Sequence, residues 1–237
     1  MMVKLRYTLL LAVVTLLIAL ALVVRPGNPK GAVIIDELAA DYPNEKLIER
    51  LKDYLKEAGY ERVDVYRGKE VTVSLYQDLP KMGYELILIR AHSAPAPSGG
   101  GTVIFTGEPA NSSAYIFERV GGFVVRAKTL EGNKTYFAVT PKFWMEKAKG
   151  NFNGAIIVMF SCYGFLDDVL PRVFLMKGAS YYVGWEEKVS LSHVDKAAEI
   201  LIRKLSEGAS VEEAVKYVNE VLGPDPSTNS YLRYAKS

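Results

Sequence analysis

Ala155-Ile-Ile-Val-Met-Phe-Ser-Cys162-Tyr-Gly164 carries the reading of the fold. A continuous apolar run from Ala155 to Phe160, bounded by Gly154 and Gly164, has the pattern of a strand buried on both faces of a parallel sheet. Cys162, the chain's single cysteine, lies just past the end of that strand. In open α/β sheets, ligands and chemistry collect beyond the carboxyl ends of the strands. A second apolar run, Tyr84-Glu-Leu-Ile-Leu-Ile-Arg90, delivers His92 to an equivalent place. A thiol and an imidazole at two strand tips form the pair that a cysteine nucleophile requires. A helix expected from Asp167 would add its N-terminus as a second source of thiolate stabilisation.

Outward from these two strands, the pattern is that of alternating strands and helices. Ala32 to Asp36 reads as a short buried strand ending on an acid, and Asn44 caps a helix with Leu47, Ile48, Leu51 and Leu55 on one face. Arg62 to Tyr66 alternates as a strand nearer the sheet edge, and a short helical piece covers Val71 to Leu79. Such a β-α-β-α-β order builds a mainly parallel sheet with helices on both faces, a three-layer sandwich. The rhythm breaks after His92, where Ser93 to Gly101 reads as a flexible loop. Thr102–Thr106, Ala114–Phe117, Phe123–Lys128 and Thr135–Thr140 read as short antiparallel strands, a β-hairpin insertion over residues 99–140. Beyond Cys162 come the helix to Met176, a strand Ser180–Gly184 and a long helix from Ser192. The capping box Ser210-Val-Glu-Glu213 then opens the last helix. The globular domain is expected over 31–223, and the tail 224–237 shows no readable structure.

At the front, residues 1–7 carry Lys4 and Arg6, and Thr8 to Val24 runs without a charge. As a helix this run spans roughly 25 Å, enough for an N-terminal transmembrane anchor. Ala19-Leu20-Ala21 leaves a cleaved signal peptide as the alternative. Residues 25–30, with Pro26, Gly27 and Pro29, form a linker. The charge placement and the triplets at Asn111 and Asn133 favour a single-pass membrane protein with its domain outside, the cytoplasmic side remaining open. Net charge is +2 with both signs dispersed along the chain, which gives no polybasic nucleic-acid surface. One cysteine excludes an intrachain disulfide, and with two histidines no metal centre or cofactor is expected. A single glutamine, Gln77, among abundant Lys, Glu, Tyr and Val is a composition of thermophile type.

Leu86-Ile-Leu-Ile-Arg-Ala-His92, followed by Ile156-Ile-Val-Met-Phe-Ser-Cys162-Tyr-Gly164, resembles the caspase-fold cysteine peptidases, which include gingipains, clostripain and the CHAT-type proteases. Gly178-Ala-Ser-Tyr-Tyr-Val-Gly184-Trp185 and Glu207 to Ala214 are similar to the C-terminal part of gingipain-like and CHAT domains. The resemblance implies a caspase-like sheet in an archaeal or thermophile-type, membrane-anchored member. It implies His92 as general base and acid, Cys162 as nucleophile, and the backbone amides of Cys162 and Ser93 as oxyanion donors. The chain departs from the family pattern in having Ser93 where many relatives have glycine, and Phe160 where several have an acid. By the same resemblance Asp36 and Trp185 would line a substrate pocket, with Asp36 favouring cleavage after a basic residue. The expected activity is that of a cysteine endopeptidase acting on peptides or proteins. The alternative is a catalytically silent caspase-fold binding or signalling module.

Overall fold

In the computed structural model, which describes residues 30–97, 99–129 and 134–237, the chain runs β1 (Gly31–Asp36), α1 (Glu45–Glu57), β2 (Arg62–Arg67), α2 (Val73–Asp78) and β3 (Leu86–Arg90). An insertion follows: β4 (Ser93–Pro95), β5 (Thr102–Pro109), α3 (Ile116–Val120), β6 (Val124–Lys128) and β7 (Thr135–Val139). Then come α4 (Pro141–Glu146), β8 (Ile156–Phe160), α5 (Val169–Met176), β9 (Tyr181–Trp185), α6 (Leu191–Ser206), α7 (Val211–Leu222) and β10 (Leu232–Lys236). The principal sheet has the order β10-β9-β8-β3-β1-β2, parallel throughout except for β10, and the insertion forms its own antiparallel sheet, β4-β5-β7-β6.

The double-sided burial expected for the apolar runs decides the layering. Along β1, Val33 and Ile35 pack into one core while Ala32 and Ile34 pack into another, and β3 and β8 divide in the same way. One core is closed by α1, α6 and α7 through Leu47, Leu51, Ala197, Leu201 and Val215. The other is closed by α2, α4 and α5 and by Ile104, Val124 and Phe137 of the insertion. The mixed α/β, mainly parallel architecture expected from the pattern is present, with β2 at the edge.

Three segments differ from expectation. Residues 114–117 are not a strand: Tyr115 takes φ 55° and the chain enters α3. Ser93 to Pro95 is a strand, not loop, and 232–236 in the expected unstructured tail is an antiparallel edge strand on β9. Among the described residues no helix is long and apolar enough to cross a membrane. The span expected over 8–24, the linker up to residue 29 and Asn133 lie outside the described residues.

One buried ion cluster ties the carboxyl edge of this sheet together. The Arg90 guanidinium, at the end of β3, donates to Asp195 at 2.8 and 3.0 Å and to Asp36 at 2.7 Å. It also donates to the Tyr42 carbonyl at 3.1 Å, and Asn44, the cap of α1, donates to Asp195 at 2.9 Å. Replacing one member of a buried ion cluster strands its partners' charges, which costs about 3–5 kcal/mol. Arg90→Leu is therefore expected to lose about that much stability in denaturant unfolding, part of it regained when Asp36→Asn and Asp195→Asn are added. A loss no larger than that of a surface substitution would refute the clamp.

Candidate active site

Parallel pairing sets the site. β3 and β8 are neighbours with Arg90 opposite Phe160, so His92 and Cys162 each stand two residues past one registered pair. Both line a cavity of about 560 Å³ beyond the strand ends, walled also by Tyr42, Phe105, Val189 and Leu191. The His92 ring sits between Tyr42, edge-on with centroids 5.8 Å apart, and Phe105 at 5.7 Å. Its backbone is anchored as well: the His92 amide donates to Glu37 Oε2 at 2.8 Å, and its carbonyl accepts from the Phe105 amide at 3.0 Å.

The cysteine loop is held from three sides. Ser93 Oγ donates to the Cys162 carbonyl, and Thr102 Oγ1 donates to the Tyr163 carbonyl at 2.6 Å, so the insertion is tied to the loop at two points. Tyr163 takes φ 58°, a left-handed conformation uncommon for a large side chain, with its amide donating to the Glu187 carbonyl at 2.9 Å. The close approach read for Gly164 is present: a Cβ there would lie 3.2 Å from Gly184 Cα and from Trp185 N. The Cys162 sulfur rests on Val189, accepting from its amide at 3.5 Å and donating to its carbonyl at 3.6 Å.

Burial pushes the Cys162 thiol up from its ordinary value, outweighing the Val189 amide, the Lys188 ammonium and its own amide, which pull the other way. The helix expected to begin beside the cysteine starts only at Val169. As for the backbone donors, alternation along β4 turns the Ser93 amide away from β5, while Ala96 donates to Gly101. The Ser93 amide is thus unspent on sheet pairing, beside the cysteine loop that its hydroxyl reaches.

The two residues read as pocket walls have other work. Asp36 is fully buried on the Arg90 guanidinium, and Trp185 is fully buried with its ring edge-on to His193, centroids 5.2 Å apart. Neither lines the cavity. The physical reason lies in burial, since an uncompensated carboxylate so far from water requires its partner and has no charge to offer a ligand. The pocket roles expected for Asp36 and Trp185 are therefore corrected.

Sequence reading missed Glu37, the next residue after Asp36. It is 3% exposed and lies beneath His92, and burial pushes its carboxyl up to about 8 despite the His92 amide that pulls it down. Its signal is the acid pair that follows a buried strand, of which only Asp36 carried an expectation. From pH 4.5 to about 8 an unfolded chain releases the Glu37 proton while the folded chain keeps it. This group's contribution to stability is full at the acid end of that window and falls as pH rises through it. Glu37→Gln retains an acceptor for the His92 amide and cannot ionise. Denaturant midpoints of the variant are expected to gain on the unaltered chain as pH rises through the window; parallel curves would refute the buried acid.

Neither a family model nor a curated protein matches the chain. Among solved structures it is similar to the complex of Porphyromonas gingivalis RgpB pro- and mature domains, at 12% identity over 82% of this chain and 44% of that one, TM-score 0.48. It is also similar to the Arg-specific cysteine proteinase gingipain R, at 10% identity over 80% of this chain and 42% of that one, TM-score 0.49. The chain spans less than half the length of either structure.

Proposed function

We propose that the chain is a cysteine endopeptidase of caspase-like fold in which His92 and Cys162 act as the catalytic pair. One observation carries the reading: the imidazole and the thiol follow a single registered pair of adjacent parallel strands and line the same cavity. In this reading His92 takes the Cys162 proton as sulfur attacks the scissile carbonyl. The S–C bond forms, and the oxyanion is met by the Cys162 and Ser93 amides. The C–N bond then breaks and the amine leaves with the proton from His92. Water, deprotonated by His92, hydrolyses the thioester and the thiol regains its proton.

A thiol held above its ordinary value rests protonated, so the proton moves at the moment of attack. The anchor over residues 8–24 belongs to the same proposal and is carried by the apolar run alone. A preference for basic residues does not, because Asp36, on which it rested, is spent on Arg90.

Hydrolysis of a mixed peptide library by the full chain is expected to vanish with Cys162→Ala and to drop about 10²–10⁴-fold with His92→Ala. Peptide binding without turnover would replace this reading with the silent module. Alkylation of Cys162 by iodoacetamide is expected to rise with pH, without a plateau below the ordinary thiol value of 9.0. A plateau near neutrality would mean a preformed thiolate and refute the protonated resting thiol.

A further inference from the structure

Among the described residues that line the cavity, the charged side chains have one sign. Apart from His92, the ionisable side chains of charged type that line it are Lys128 and Lys188, with no aspartate or glutamate among the lining residues. The two lysines come from separate units: Lys128 ends β6 in the insertion, and Lys188 follows β9 in the principal sheet. Both are exposed. Unlike Lys149, paired with Asp78, and Lys236, paired with Glu212, Lys128 and Lys188 have no ion-pair partner among the described residues.

Most of the described carboxylates nearby have internal partners. Asp41 is paired with Lys134, Asp36 and Asp195 hold Arg90, and Glu37 is buried under the His92 amide. Asp225 accepts from the Ser190 amide and hydroxyl at 2.8 and 2.6 Å and from the Ser227 hydroxyl at 2.5 Å. Glu187, exposed beside Lys188, reaches Tyr163 electrostatically but does not line the cavity. Lys188 lines the cavity together with Cys162, where its charge pulls the thiol down against burial while Asp225 pushes it up. A cationic side chain entering here is repelled by two ammonium groups with no lining carboxylate to offset them, and an anionic one is attracted by the same pair.

We infer that the cavity selects peptides with a carboxylate side chain beside the bond to be cut, and that Lys128 and Lys188 are the residues that determine this. The inference rests on the peptidase reading for what is cut, but its selectivity can be read from binding alone. The full chain carrying Cys162→Ala is titrated by fluorescence anisotropy with short peptides identical except for one residue, which is Glu, Gln or Lys.

The Glu peptide is expected to bind more tightly than the Gln peptide by roughly threefold to tenfold, as befits exposed ion pairs, and the Lys peptide more weakly than either. The advantage of Glu shrinks at high salt. Lys128→Glu with Lys188→Glu is expected to reverse the order, and the gained affinity for the Lys peptide shows that this variant folds. Equal binding of the three peptides, tighter binding of the Lys peptide to the original lysines, or no binding at all overturns the inference.

Turnover separates the two proposals. Cys162-dependent cleavage that favours the Lys peptide keeps the peptidase and removes the anionic preference. Binding in the expected order with no cleavage keeps the preference and removes the peptidase.

Discussion

A buried guanidinium is the constraint on which the site depends. Arg90 closes β3, 1% exposed, in a place where an unpaired cation would be intolerable. Its donors are therefore committed to Asp36 on β1, to Asp195 near the start of α6, and to the Tyr42 carbonyl ahead of α1. Planar and always charged, arginine meets the Asp195 carboxylate with two parallel bonds, which a lysine could not do. The outcome is that three elements approach the carboxyl edge at fixed heights. His92, two residues beyond the clamp, inherits that precision, and the Glu37 carboxyl beneath it fixes its backbone from below.

The second support is the insertion, which is no appendage. Its first strand starts at Ser93, directly after the histidine, and its hydroxyls at Ser93 and Thr102 reach the carbonyls of Cys162 and Tyr163. A movement of the cysteine loop must therefore break bonds to the insertion or carry the insertion with it. Tyr163, held at positive φ between Thr102 and Glu187, is the residue on which that coupling bears most directly. Functional loops commonly ride on a rigid scaffold, and here the scaffold for the Cys162 loop is the strand that follows His92.

The sequence made the strands legible where burial is two-sided. Ile156–Phe160, Leu86–Arg90 and Gly31–Asp36 are near-continuous apolar runs because helices cover both faces of the sheet. The caps were legible for a local reason: Asn44 accepts from Leu47 N, and Ser210 and Glu213 bond reciprocally, all within one turn. Leu232–Lys236 escaped notice because only Leu232 is buried, so the strand leaves no apolar run. Ile116–Val120 misled by its composition, since its apolar residues are not buried, with Phe117 88% exposed. The positions of His92 and Cys162 could be read because each follows its strand. The fate of Asp36 could not, because its partner is distant in sequence. Arg90 itself was the overlooked signal, a charge ending an otherwise apolar buried strand.

That oversight bears on specificity. An acid at a strand tip invites the reading that it greets a cationic ligand, yet a carboxylate contributes to recognition only with the charge it has not already given to its neighbours. Burial raises Asp36 and Glu37 toward protonation, while Arg90 holds one oxygen of Asp36 and the His92 amide one oxygen of Glu37. What a ligand meets is the remainder, and the remainder around this cavity is two ammonium groups on flexible stems. Their solvent exposure makes each contact individually weak and sensitive to salt, so discrimination comes from the absence of a competing lining carboxylate as much as from the attraction itself. The same internal pairing that fixes the catalytic edge thus removes the acids from the ligand's view, and stability at β1 and β3 and charge preference in the cavity have one physical origin.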